Sequence, residues 1–282
     1  MKLGSFIIEQ LSEGFFEIFE DGTIHKIQPA RFKEMSENPD QAGQSSAIGI
    51  DPVFVTNGIH NIVIDCGLGW GLDHKSSYTD TSNVVSNLNI FETDPDKIDY
   101  VILTHLHYDH SAGSTYVGEG LKTTATFPNA VYIVHQLEWE HALSQVDIKS
   151  QTSGAQYNLD EMYKLVAENR IRFISEERQE IIPGVEVIHT GGHTPGHLIV
   201  KINSANEVAY YPGDLIPTEF HLNMLTPSLM DFDPVQSKKA KTILLREAFN
   251  AGAVILFYHS LFRKSGKIGR DEEKNYVLLE HN

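Results

Sequence analysis

The chain has 282 residues, 41% of them hydrophobic, enough for a sizeable core in one large domain or two small ones. Its 38 acidic and 22 basic residues leave a formal charge of -16, which argues against a nucleic-acid backbone or an anionic membrane surface as partner. The single cysteine, Cys66, excludes an internal disulfide; with no spanning-length apolar run and no leader-like N-terminus, the expectation is a soluble cytoplasmic protein.

Residues 3–19 hold two short apolar runs and read as an edge hairpin turning near Ser12-Glu13-Gly14. Residues 21–46 are polar, carry Pro29, Pro39 and Gly43, and read as a long surface loop placed to cap a cavity or to mediate a homodimer contact. Ile48 to Thr56 and Ile59 to Ile64 read as strands joined at Asn57-Gly58, a hairpin signal. Asp65-Cys66-Gly67-Leu68-Gly69 follows, a carboxylate at a strand end before a glycine-rich turn, expected to brace neighbouring loops. Val84 to Leu88 is helix-like.

Ile98 to Leu103 is a short β-branched run that reads as a buried strand. Straight off its end come Thr104-His105-Leu106-His107-Tyr108-Asp109-His110. Four potential ligands packed this tightly point to metal. In an extended segment His105 and His107 project the same way, while Asp109 and His110 can turn toward a second ion. The small residues Ser111-Ala112-Gly113-Ser114 then permit close backbone approach.

Ala130 to Val134 reads as a strand, His135 to Leu143 and Leu159 to Glu168 as helices, with His135 and His141 off the cluster. From Ile171 the chain returns to strands. Val185 to Thr190 runs into Gly191-Gly192-His193-Thr194-Pro195-Gly196-His197, where His197 reads as a bracing residue. Glu207 to Tyr211 ends in Pro212-Gly213-Asp214. The last strand, Ala253 to Tyr258, ends in His259. Four buried strands therefore each stop at a candidate ligand. The set is His105, His107, Asp109, His110, His193, Asp214 and His259. One tetrahedral ion takes at most four protein ligands, so seven suit two ions with Asp214 bridging. Histidine and carboxylate ligands suit zinc, and also iron, cobalt or manganese.

Thr-His-Leu-His-Tyr-Asp-His, Gly-His-Thr-Pro-Gly-His, Gly-Asp and a final His, spread from about Ile48 to His259, resemble the metallo-β-lactamase superfamily. Within it the stretches DCGLG, IDYVILTHLHYDHSAG, FPNAVYIVHQLEWEHAL and YPGDLIPT are similar to the N-acyl homoserine lactonases and the methyl parathion hydrolase-like enzymes. The resemblance implies an α/β (α+β) fold, residues 1–282 forming one four-layer αββα sandwich with a dinuclear site at one edge. It implies one ion on His105, His107 and His193 and the other on Asp109, His110 and His259, with Asp214 shared. The implied activity is hydrolysis by a metal-bridged hydroxide that opens a small-molecule lactone or cleaves an ester, as in quorum quenching. Organophosphate or arylester hydrolysis on the same two ions is the alternative.

One departure concerns position 217. Many homoserine lactonases carry a tyrosine three residues after the bridging aspartate, and here that residue is Pro217. His221, seven residues after Asp214, either supplies the missing contact to the substrate carbonyl or sits in a surface loop. Leu222, Met224, Leu225, Leu229 and Met230 either pack in the core or wall an acyl chain or aromatic leaving group. A single-iron persulfide dioxygenase would use a subset of the same ligands and would be told apart by one iron per chain and by oxygen consumption.

Overall fold

A computed structural model describes residues 1–19, 23–37, 46–78, 81–149, 157–160, 162–223 and 230–279. Side-chain alternation along the strands builds the layers. On the strand Asn61–Ile64, Ile62 and Ile64 face one core and Val63 another; on Val131–His135, Ile133 opposes Tyr132 and Val134. All are buried, so both faces of their sheet are covered.

That first sheet runs, in spatial order, Lys2–Leu3, Phe6–Gln10, Val53–Thr56, Asn61–Ile64, Tyr100–Ile102, Val131–His135 and Ile171–Ile174. The second runs Arg178–Ile182, Val185–His189, Leu198–Ser204, Glu207–Tyr211, Val254–Leu256, Ser265–Arg270 and Tyr276–Leu278. Between them Ile8, Val55, Ile64 and Ile102 pack into one core with Val187, Val200 and Leu256. Helices Val84–Ile90, Gln136–Lys149 and Met162–Ala167 cover the outer face of the first sheet through Leu88, Ala142 and Leu165. Helix Pro234–Ala251 covers the second through Leu244, Leu245 and Ala248. The layers are α, β, β, α, as expected.

Local chemistry fixes the helix ends. The Asn83 side chain accepts from the Val85 and Ser86 amides, and the Ser86 hydroxyl accepts from the Asn83 amide, a reciprocal capping box. Helix Pro234–Ala251 starts from Asp233, whose carboxylate caps Val235 and Gln236, has proline at its first position, and stops at Gly252 with φ +58. Among the described residues no helix is long and apolar enough to cross a membrane.

Strand direction places the site. Val185–His189 and Glu207–Tyr211 both flank Leu198–Ser204 antiparallel, so they run the same way, and Val254–Leu256 is parallel to Glu207–Tyr211. Their carboxyl ends therefore open on one edge. Strand Tyr100–Ile102 of the first sheet ends beside them, where the Leu198 amide donates to the Thr104 carbonyl at 2.8 Å.

Four sequence expectations are corrected. Ser12-Glu13-Gly14 is a crossing between sheets rather than a hairpin turn: Phe6–Gln10 pairs with Val53–Thr56, whereas Gly14–Ile18 joins a separate sheet with Ile24–Lys26 and Ala47–Ile50. The buried Glu13 carboxylate turns the chain inward by accepting from the Leu68 amide, and burial pushes it up to about 8. The run Ile48 to Thr56 is two strands, Ala47–Ile50 and Val53–Thr56, broken at Asp51-Pro52. Proline has no N–H to continue a ladder, and the Asp51 carboxylate pairs with the Lys264 ammonium. The stretch 21–46 is not one loop, since it contains the strand Ile24–Lys26 and the helix Pro29–Glu37; residues 38–45 lie outside the described residues. Finally, Ala253 to Tyr258 is shortened to Val254–Leu256 and is not the last strand, because Ser265–Arg270 and Tyr276–Leu278 extend the sheet. The first of these two is mostly polar and gives no apolar signal.

Candidate metal centre

The structure brings all seven expected ligands together at that edge, in two groups. His105, His107, His193 and Asp214 form one, and Asp109, His110 and His259 the other; within each, the candidate ligand atoms lie within 4.8 Å of one another. Asp214 joins the groups. Its Oδ2 is 3.4 Å from His193 Nε2, while its Oδ1 is 3.2 Å from both His110 Nε2 and His259 Nε2. Asp109 Oδ2 stands 3.5 Å from His259 Nε2.

Four of the five imidazoles are aimed from behind by a partner. His110 Nδ1 faces the Asp65 carboxylate at 2.9 Å, His193 Nδ1 faces Asp231 at 3.1 Å, and His259 Nδ1 faces the Gly49 carbonyl at 2.9 Å. Carboxylates and carbonyls only accept, so these ring nitrogens donate. Thr104 gives its hydroxyl proton to Asp65 and is left to accept from His105 Nδ1 at 3.1 Å. The other ring nitrogens face the interior of the cluster. They meet at 3.0 Å between His105 Nε2 and His107 Nδ1, 3.2 Å between His193 Nε2 and His107 Nδ1, and 3.3 Å between His110 Nε2 and His259 Nε2. Imidazoles converging this closely beside the carboxylates of Asp109 and Asp214 make a donor set that a divalent cation can use. Asp214 Oδ1 is likewise buried without a hydrogen bond. The donor set fits divalent ions.

The electrostatics agree. Burial and the neighbouring imidazoles hold His105 and His107 well below the usual histidine range, which keeps them in the neutral, ligating form. Burial opposes charge on His110 too, yet the carboxylates of Asp214, Asp109 and Asp65 outweigh it and hold that imidazole well above its usual range. Burial would raise Asp214, but His259 and His110 keep it well below the usual carboxylate range. The cavity is built to hold positive charge.

Asp65 braces, as its position at a strand end predicts: besides His110 it accepts from the Thr104 amide and the Tyr211 hydroxyl, each at 2.8 Å. His197 braces as well, accepting from the Asp214 amide through Nε2 at 3.2 Å while Nδ1 meets the Thr190 hydroxyl. Gly113 allows the close approach expected of the small-residue run, since a Cβ there would overlap the Cys66 carbonyl. His135 and His141 lie away from the cluster, and His135 stacks on His189 with centroids 3.9 Å apart.

His221 occupies a 3₁₀ turn, half-buried, with Nδ1 2.7 Å from the Thr218 hydroxyl. Burial and the Lys241 charge push its imidazole down to about 4, against the pull of Asp214. Pro217 has a structural role: its carbonyl accepts from the His259 amide at 3.0 Å. Leu222 is a core residue and Met230 is exposed, while Met224, Leu225, Pro227 and Leu229 lie outside the described residues.

Three supporting residues escaped the sequence reading. Glu138, fully buried, ties two ligand loops by accepting from the Leu106 amide at 2.9 Å, the Thr194 hydroxyl at 2.5 Å and the Gly196 amide. Asp231 backs His193. The Tyr258 hydroxyl holds the Asp109 carbonyl at 2.5 Å. An acid one turn into a helix after a buried strand was the one available sign for Glu138; the other two left none.

Residues 48–259 match the family model of the metallo-beta-lactamase superfamily. An N-acyl homoserine lactonase from a Bacillus species is 24% identical over 192 residues, 67% of this chain and 66% of that protein. Other curated relatives are matched over less of their length, one Bacillus thuringiensis lactonase over 38%. Among solved structures, a probable metal-dependent hydrolase from Staphylococcus aureus is 26% identical with a TM-score of 0.75, each chain covered fully. The dizinc quorum-quenching lactonase AidC shares the fold, with a TM-score of 0.73 at 17% identity over 100% of this chain and 96% of that one. With well over half its length matched and the site's geometry in agreement, the chain belongs to the metallo-beta-lactamase superfamily.

Proposed function

We propose that the chain is a dinuclear metal-dependent hydrolase of small lactones or esters, with N-acyl homoserine lactones as its first substrate class. The observation that carries this reading is the convergence of histidine and carboxylate ligand atoms in two groups that meet at Asp214. Two divalent ions, zinc first among them, would supply Lewis acidity and a water acidic enough to act as nucleophile near neutral pH. The remaining work falls to the chain's own residues.

His105, His107 and His193, with Asp214, would hold the first ion, and Asp109, His110 and His259, with Asp214 shared, would hold the second. Asp214 lies between the groups with its side chain 14% exposed, placed to take the proton released on attack and return it to the leaving alkoxide. His221, kept neutral by burial and Lys241, suits a hydrogen bond to a substrate carbonyl rather than an ion pair. Because Pro217 has no hydroxyl, the carbonyl-contacting role passes to another element of the chain. The lactonase relatives support the substrate class. An arylester or phosphotriester would use the same arrangement and is the alternative. A single-iron dioxygenase is disfavoured because Asp109, His110 and His259 converge separately from the first group.

The test is proton release on ring opening of homoserine lactones with short and long acyl chains, run beside an arylester and a phosphotriester. Faster turnover of one lactone than of either other class is expected. Turnover of the arylester or phosphotriester alone would contradict the substrate assignment while keeping the hydrolase.

A further inference from the structure

We infer that Asp231 is a positioning residue, setting the affinity of the first metal group through His193 and tying that group to the segment that precedes helix Pro234–Ala251. The inference rests on the two-ion reading above. Each group contains one imidazole whose outer nitrogen donates to a carboxylate: His110 to Asp65 at 2.9 Å, and His193 to Asp231 at 3.1 Å. A carboxylate on the far nitrogen makes an imidazole a stronger donor to its ion and fixes the plane of the ring. Asp65 sits inside the sandwich and also braces Thr104 and Tyr211, so its part is shared. Asp231 comes from a different element. Its side chain is 9% exposed, and the pair is well shielded from water.

The neighbouring backbone shows that Asp231 does not reach His193 from a freely hanging loop. The Phe232 amide donates to the His193 carbonyl at 3.0 Å, and the Asp233 amide donates to the Gly192 carbonyl at 2.8 Å. Three bonds thus latch residues 231–233 to the turn carrying the ligand. Asp233 then caps the helix, and Gln236 Nε2 donates to the Thr190 carbonyl at 2.8 Å. On the outer side of the same latch, Met230 and Phe232 stand exposed. The candidate ligand His193 and a segment with two exposed apolar residues are thus held together, with Asp231 as the one side-chain link to the imidazole.

The experiment is zinc affinity by chelator competition on the whole chain, for wild type, Asp231→Asn, Asp231→Ala and Asp233→Ala. Asp231→Asn keeps an acceptor oxygen and removes the charge. It is expected to weaken one of the two ions about 10- to 100-fold and leave the other within about 3-fold. Asp233→Ala loosens the helix start without touching His193, and is expected to lower the melting temperature while both affinities hold. The inference is overturned if Asp231→Asn and Asp231→Ala bind both ions as wild type does, or if Asp233→Ala reproduces the loss. A wild-type chain that takes a single ion would overturn the two-ion reading alone, because Asp231→Asn must still weaken that ion for the inference to stand.

Discussion

Asp65 lies behind the ligands and accepts hydrogen bonds from Thr104, His110 and Tyr211 with essentially no exposure of its own. Replacing it with alanine leaves several buried donors unpaired, each costing about 1–3 kcal/mol. Asp65→Ala is therefore expected to lose about 3 kcal/mol or more in urea unfolding, and a loss under 1 kcal/mol would show that the donors find other partners. His135 gives a pH prediction. Burial, helped by the stacked His189 and opposed by Glu176 and Glu140, pushes its imidazole down from 6.5 to about 4. Between those values the unfolded chain binds a proton that the folded chain does not, so stability falls as pH drops from about 6.5 to about 4. His135→Phe should flatten the melting temperature over that window relative to wild type; an unchanged slope would assign the dependence elsewhere. At this scale the cluster of seven candidate ligands was legible because they sit at or just beyond the ends of apolar strands. Asp231 and Tyr258 were not, because they act through a neighbour brought close only by folding.

Helix Gln136–Lys149 delivers Glu138 under two ligand loops, and the fit is tight: a Cβ on Gly196 would overlap the Glu138 backbone. Gly196→Ala is expected to destabilise by about 1–3 kcal/mol, as overpacking does, and to lower metal affinity with it. A thermal melt and a zinc titration on the same preparation check both, and a variant that melts and binds as wild type does would remove the clamp from the account. The elements themselves were read from apolar runs where these were strong, as at Ile98 to Leu103 or Val185 to Thr190. They were misread where a polar group was buried inside a run. Glu13 and Asp51 are such cases, each satisfied by partners distant in sequence, Leu68 and Lys264. A local pattern carries no sign of either. The Asn57-Gly58 signal held, although the connection is four residues, with Asn57 Oδ1 accepting from the Ile59 and His60 amides.

For the whole molecule, the sandwich matters because parallel running of three strands in one sheet opens their ends on the edge where Tyr100–Ile102 of the other sheet also ends. The resemblance carried in the histidine motifs anticipated those layers; the pairing order within each sheet follows from long-range contacts and had no local trace. Because the ions would bind the folded edge and not the unfolded chain, stripping them with a chelator should lower the melting temperature, and zinc at 100 times its dissociation constant should stabilise by about 2.7 kcal/mol per site. Equal melting with and without chelator would detach the site from folding. The most direct test of the account is hydrolysis measured as metal-free protein is titrated with zinc, with bound ions counted at every point, for wild type and Asp214→Asn. The account predicts two ions per wild-type chain, turnover that rises to its full value with the second ion, and at least a hundredfold loss in Asp214→Asn, on the order of the contribution of a positioned proton-transfer group. Full turnover with one ion bound, or an Asp214→Asn chain that binds two ions and keeps wild-type turnover, would contradict it.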